Sequence, residues 1–283
     1  MSTPRPVVVG VDGSKANTPA IDFAADWATS AGVPLELLVV VTGAGTLPPY
    51  VASPDPSDHT LLAALAERVG SDHPGLVVST RIAFGNAVEC LVAASATARL
   101  TVVGSRGLGT FARSMLGSVS GSLTAHARGP VVVVPPHWIA SAHADDDPVV
   151  VGVTADPREQ RAALRWAFAE ATRTSTLVEV VHAVDLAPVL AWDGEGLGLR
   201  HVAPTPSDLP ALRDAVARQA REFPETPVRV VDEAGHAADV LLQRGAEARL
   251  LVVGARHRGL GSVRRAVLHH AEVPVVVVPA PEE

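Results

Sequence analysis

Between Val102 and Ser122 the chain reads VVGSRGLGTFARSMLGSVSGS, with glycines at 104, 107, 109 and 117 and hydroxyls at Ser118 and Ser120. The segment follows an apolar run, Thr101–Val103, and leads into a helical stretch, Leu116–Ala127. Gly104 lets the chain turn sharply off a strand, and Gly107 lets main chain approach a ligand with no Cβ in the way. Gly117 and Ser118 put free amides and hydroxyls at a helix N-terminus, where negative charge is stabilised. That chemistry suits a polyphosphate; the bland alternative is a glycine-rich turn and nothing more. There is no G-K-[ST], so this is not a Walker loop, and the segment does not sit on a first strand as the dinucleotide GxGxxG fingerprint does. The other chemically loaded residue is Asp12, which follows the run Val7–Val11. Its carboxylate can accept hydrogen bonds from a ribose, or it can cap the helix that begins near Lys15.

These groups must be held by the elements around them, and the elements occur twice. RLTVVGSRG at Arg99 returns as RLLVVGARH at Arg249, and GNAVECLV at Gly85 returns as GHAADVLL at Gly235, both 150 residues on. PSD recurs at Pro56 and Pro206, GPVVVVP at Gly129 is matched by VPVVVVP at Val273, and VVVGVDGS at Val7 by VVVGVTAD at Val149. A repeat this long is a duplicated domain, not a solenoid unit. The expected division is 1–137 and 148–283, with the polar, acidic stretch 138–147 as an exposed linker. Within the first copy, β-branched runs at Val7–Val11, Leu37–Val41, Val77–Ile82, Thr101–Val103 and Val131–Val134 alternate with helical stretches. The helices are expected at Lys15–Ala31, Ser57–Val69, Ala87–Ala98 and Leu116–Ala127. Strands apolar on both faces, alternating with helices, imply a parallel sheet covered on both sides. Each half is therefore an α/β, open, doubly wound, five-stranded parallel sheet. Ligands on such sheets bind beyond the carboxyl ends of the strands, where the strand order reverses.

Composition narrows the function. The net charge is −7 and no basic block occurs, which argues against nucleic-acid binding. A single cysteine, Cys90, permits no intramolecular disulfide and reads as a small buried hydrophobe on a helix. The N-terminus reads as a first strand rather than a signal peptide, and no apolar run is long enough to span a membrane. A cytoplasmic protein is expected.

VGVDGS, GNAVECLV, TVVGSRG, LGSVSGSL and GPVVVVP, in that order and with the spacing G-x2-G-x9-G-S, resemble the ATP-binding universal stress proteins. The resemblance covers both halves. It implies an adenine-nucleotide alpha-hydrolase-like, flavodoxin-like sandwich in each half, the two related by a pseudo-two-fold. It further implies ATP, with or without Mg²⁺, as the ligand of a regulatory, stress-response protein. Carried over residue by residue, Gly10, Val11 and Asp12 end the first strand, with Asp12 near the adenosine. Val40 meets the adenine edge through its backbone. Val103, Gly104, Ser105 and Gly107 wrap the ribose and first phosphate, and Gly117, Ser118, Val119 and Ser120 hold the outer phosphates. Arg106 or Arg113 adds charge. The family's last strand makes a dimer, so here Val131–Val134 and Val275–Val278 are expected to pair within one chain; a homodimer of whole chains stays open.

The second copy reads as disabled. Thr154 stands for Asp12, His257 for Gly107, and the spacing from Gly254 to Gly261 is six residues shorter than from Gly104 to Gly117. The counter-reading makes Arg256, His257, Arg258, Arg264 and Arg265 a different anion site. His269 and His270 are adjacent, and neighbours on a helix diverge, so a metal pair is not expected. No serine sits in a GxSxG elbow. The loop around Trp192 to Leu199 is read as a lid, an interaction surface or disorder. Two rival functions remain: a slow ATPase or adenylate-forming enzyme, for which no base is evident, and a nucleotide-free interaction scaffold.

Overall fold

A computed structural model describes residues 4–42, 56–106, 117–140, 144, 146–153, 157–184, 188–192, 197–201, 209–255 and 261–280. The first half runs β1 (Val7–Val11), α1 (Thr18–Ala31), β2 (Leu35–Val41), α2 (Pro56–Asp72), β3 (Val78–Phe84), α3 (Ala87–Ser95), β4 (Leu100–Gly104), α4 (Ser118–His126) and β5 (Val131–Val134). The second runs β6 (Val149–Gly152), α5 (Pro157–Thr174), β7 (Val178–Val184), β8 (Pro188–Trp192), β9 (Leu197–His201), α6 (Leu209–Glu222), β10 (Val228–Ala234), α7 (Ala237–Gly245), β11 (Leu250–Ala255), α8 (Ser262–His270) and β12 (Val275–Pro279).

Ten of these strands form one continuous sheet, ordered β10-β7-β6-β11-β12-β5-β4-β1-β2-β3. Each half contributes five parallel strands, and its order reverses between its first and fourth strands, β1 and β4 or β6 and β11. At the centre β5 and β12 run antiparallel, with Val133 opposite Val275, Val132 opposite Val276 and Val131 opposite Val277. The strand period of two divides the valines between two cores. Val7, Val9 and Val11 face the layer built by α1, α2, α5 and α6. Val8, Val131 and Val133 face the layer that holds Leu91, Leu123 and Val267 of α3, α4 and α8.

Local signals explain where the helices begin and end. Asn86 caps α3, its side-chain oxygen accepting from the backbone of Val88 at 2.8 Å and Glu89 at 3.3 Å. Gly32 ends α1 in the left-handed conformation at φ 63°, and the corresponding turn after α5 puts Ser175 there at φ 55°. The first helix starts later than its periodicity suggests. Lys15–Asn17 form a 3₁₀ turn, and α1 begins at Thr18 with Pro19 in its first turn, where a missing N–H does no harm.

The two halves also meet through α1 and α5. Glu170, 4% exposed, shares the single N–H of Trp27 between its two oxygens, each 3.1 Å from Nε1, and pairs with Arg173. The Arg173 guanidinium lies 5.0 Å from the centre of the Trp27 ring and donates to Ser30 Oγ. Trp138, inside the expected linker, packs edge-on against Phe23 with centroids 5.5 Å apart.

Three expectations change. The segment expected as a loop around Trp192 contributes to an antiparallel hairpin, β8 with β9, in which Trp192 faces Leu197. Its alternating Pro188–Trp192 and Leu197–His201 runs had been hidden by the glycines between them. Cys90 is half-buried, because its turn of α3 lies near the sheet's rim, and its Sγ lies 3.8 Å from the Phe84 carbonyl oxygen. The His269 and His270 rings meet instead of diverging, with centroids 4.4 Å apart, at a last turn that no further turn separates.

Removing the Glu170 carboxylate leaves the Trp27 indole N–H buried without an acceptor, at a cost of about 1–3 kcal/mol. Glu170→Ala is expected to lower the urea midpoint accordingly, and the effects of Glu170→Ala and Trp27→Phe should be strongly non-additive in a double-mutant cycle. Additive effects would show that the indole and the carboxylate are not coupled across the halves.

Candidate functional site

The carboxyl ends of β1, β2 and β4 and the start of α4 surround a cavity of about 940 Å³. It lies at the switch point of the first half, where crossovers leave the sheet in opposite directions. Of the residues expected at a site, Gly10, Val11, Asp12, Val40, Val103, Gly104, Gly117, Ser118, Val119 and Ser120 all line this cavity. Ser105 does not. It is the clamp of the turn: its N–H donates to the Val134 carbonyl at 2.8 Å, and its own carbonyl accepts from Gly117 N–H at 2.9 Å. Gly107 and Arg113 lie outside the described residues, as do Thr154, Arg256, His257 and Arg258 of the second half.

The clamp brings Gly117 up against the end of β4. A Cβ on Gly117 would sit 3.2 Å from both the Ser105 carbonyl oxygen and Ser120 Oγ, closer than side chains normally pack, so a larger residue would push the clamp apart. Gly104 is slightly tighter, with the Arg106 carbonyl oxygen 3.1 Å from where a Cβ would lie. Gly117 is then the N-cap of α4, extended at φ −59° and ψ 143°, and has no side chain to cap the helix. The first-turn amides of α4 therefore stay available to an anion on the cavity side. Ser120 Oγ bonds back to the Gly117 carbonyl at 3.0 Å and shapes the same turn.

Asp12 is half-buried and forms a local turn: its Oδ1 accepts from Ser14 N–H at 2.8 Å. It does not cap α1, so the alternative reading of this residue is replaced by a turn two residues wide. Asp12 lines the cavity all the same, as do Asp58 of α2 and Arg106.

Sequence reasoning missed Asn17 and Asp58. Asn17 is 3% exposed; its Nδ2 donates to the Gly10 carbonyl at 3.2 Å, and its Oδ1 is buried without a partner. A buried orphan acceptor on a cavity wall is the mark of a group awaiting a donor. The signal was weak: a polar residue on the otherwise apolar Lys15–Ala31 face. For Asp58 the signal was the repeated PSD, noted as a repeat and given no chemistry.

In the second half the first turn of α8 carries a different side chain. Gly261 caps α8 at φ −59° and ψ 154°, nearly the angles of Gly117. Three residues on, where α4 has Ser120, α8 has Arg264, which is 5% exposed and whose guanidinium donates to the Gly254 carbonyl at 3.4 Å. Gly254 is the counterpart of Gly104. The arginines that the sequence grouped as one anion site are thus separated: Arg264 is inward and committed to the turn, while Arg265 is exposed. Among the described residues no group of three or more His, Cys, Asp or Glu could hold a metal, and no helix is long and apolar enough to cross a membrane.

Two repeated doubly wound domains, the first with a cavity at its switch point, define the α/β class of this chain. Within it, the universal stress protein family model matches residues 4–135 and again 147–279, and the chain belongs to that family. Universal stress protein Rv2005c of Mycobacterium tuberculosis is 35% identical over 297 residues, covering 98% of this chain and 99% of that protein. Universal stress protein Rv1996 of the same organism is 31% identical over 321 residues, covering 98% and 96%. A universal stress protein from Archaeoglobus fulgidus has the same fold throughout, with a TM-score of 0.71, 20% identity and coverage of 99% of this chain and 98% of that one.

Asn17→Ala removes one hydrogen bond but also the buried orphan oxygen. The two effects offset, so the unfolding free energy without ligand is expected to change by less than about 1 kcal/mol. A loss of more than about 2 kcal/mol on urea denaturation would make Asn17 a structural residue instead.

Proposed function

We propose that this chain is an ATP-binding regulatory protein of the stress response that holds one adenine nucleotide per chain, in its first half. What supports the reading most is the convergence on one cavity of Asp12, Val40, Gly104 and the uncapped first turn of α4. In this pose the adenine lies against the Val40 backbone and the ribose hydroxyls donate to Asp12 and to the orphan Asn17 Oδ1. The phosphates run past Gly104 and Gly107 to the amides and hydroxyls of Ser118–Ser120, with Arg106 adding charge. Were Mg²⁺ to accompany the phosphates, Asp58 would be the cavity-lining carboxylate left to hold it, and the ion would supply charge neutralisation there.

The second half, 148–283 after a linker at 138–147, is the partner rather than a second site. Its Arg264 guanidinium fills the turn where Ser120 stands in the first half, and Thr154 brings no carboxylate. Joined through β5 and β12, the halves form a pseudo-dimer inside one chain. Nucleotide binding beside the turn between β4 and α4 changes a surface that a partner protein reads in the cytoplasm. No group on the wall is placed as a committed general base, so hydrolysis is at most slow.

Calorimetric titration with ATP, ADP, AMP and GTP tests this. One adenylate per chain is expected. Asp12→Ala and Gly117→Val should weaken it by tenfold or more, a loss of about 1.4 kcal/mol for each factor of ten. Thr154→Ala should leave it unchanged. Two sites per chain would overturn the asymmetry, and efficient turnover of ATP would overturn the regulatory reading.

A further inference from the structure

The antiparallel seam has a consequence for the phosphate end of the site. Val133 lies opposite Val275, so the carboxyl end of β5 is beside the amino end of β12. Only Ala271–Pro274 separate β12 from His270, the last residue of α8. On the other side, Ser105 is tied by its N–H to the Val134 carbonyl at 2.8 Å, and Arg106 follows it into the cavity wall. The two helices that flank the seam, α4 and α8, bury Leu123, Val267 and Leu268 in one core layer on the same face of the sheet. The last turn of α8 is therefore delivered to the end of the first half where the phosphates would lie.

That helix carries a groove of about 500 Å³ lined by Ser262, Arg265, Ala266, His269 and His270. Arg265 and His269 stand four apart and so share one face. The His269 and His270 rings meet at 60° with Nδ1 atoms 3.5 Å apart, and the charge of Arg106 from the first half reaches His269. Burial, His270 and the Arg106 charge hold His269 below the usual imidazole range. An anion arriving beside His269 offsets the Arg106 charge and favours the charged imidazole.

We propose that α8 of the second half supplies a terminal-phosphate subsite to the nucleotide site of the first half, with Arg265 and His269 receiving the outer phosphate of a nucleoside di- or triphosphate. The second half then distinguishes phosphate-chain length without holding a nucleoside of its own. This rests on the adenylate reading of the first-half cavity and adds to it.

The test is calorimetry on the full chain with AMP, ADP and ATP, comparing wild type with Arg265→Gln/His269→Gln and with Arg265→Gln alone; circular dichroism checks the fold of each. Loss of a charged contact is expected to weaken ATP by about tenfold in the double variant, with AMP affinity changed by less than about twofold. The single variant should fall between. An ATP-to-AMP affinity ratio unchanged from wild type, or an equal fall for both ligands, overturns the subsite while leaving the first-half site standing. Wild type that binds no adenylate overturns both. If the double variant fails to fold, the single variant decides, since Arg265 is exposed and its ratio must still drop.

Discussion

Each half ends in a strand of four consecutive valines buried on both faces, and such a strand cannot be left at an edge. An exposed β5 would present unpaired main-chain groups in the most apolar stretch of its half, an invitation to uncontrolled pairing. Here β5 and β12 satisfy one another, Val131–Val133 against Val275–Val277, and the two sheets become one. The outermost strands are then β3 and β10, both with several exposed residues. The apolar edges are placed at the centre and the polar ones at the rim. Because the seam is antiparallel, it also relates the halves by an approximate two-fold, and it fixes which helix end of one half approaches which strand end of the other.

The second tie, Trp27 with Glu170 and Arg173, works by a different physics. A carboxylate that is almost wholly buried is destabilising unless its oxygens are taken up. Glu170 has an indole donor from the first half and a guanidinium from its own helix. The contact buries that carboxylate, and a placement of α1 and α5 that lost the indole donor would leave one of its buried bonds unmade. The valine seam supplies the apolar burial, and the glutamate makes one relative placement of α1 and α5 better than its neighbours.

Much of this was legible beforehand because it follows from repetition and period. The runs Val7–Val11 and Val131–Val134 are strands with the bounds expected, and the alternating pattern gave the doubly wound class. Ten of the twelve candidate residues line one cavity, since turns at strand ends are punctuated by glycines whose spacing survives in one dimension. What sequence did not reveal is where long polar side chains go. Arg264 looked like one of a cluster of free arginines, yet its guanidinium is turned inward to Gly254. Asn17 looked like an ordinary early helix residue, and only burial exposes its unpaired oxygen. The hairpin β8–β9 was obscured by turn residues between two short alternating runs, which composition alone reads as loop.

The two halves also show how a duplicated fold can diverge in one place and stay matched in another. Gly117 and Gly261 cap their helices with almost the same angles, so the starts of α4 and α8 stay matched in the two copies. Three residues further on, a serine in one and an arginine in the other decide what the helix start faces. That substitution is tolerated because the seam and the helix starts draw on different atoms. β5 and β12 pair through their edges, and α1 and α5 through residues on the opposite face of the sheet, whereas the substitution lies in the first turn of α4 or α8. A change of side chain there therefore leaves the pseudo-two-fold intact. In the reading proposed here, it also leaves α8 able to act from outside on the ligand of its twin, which a second, occupied site on the same helix would not permit.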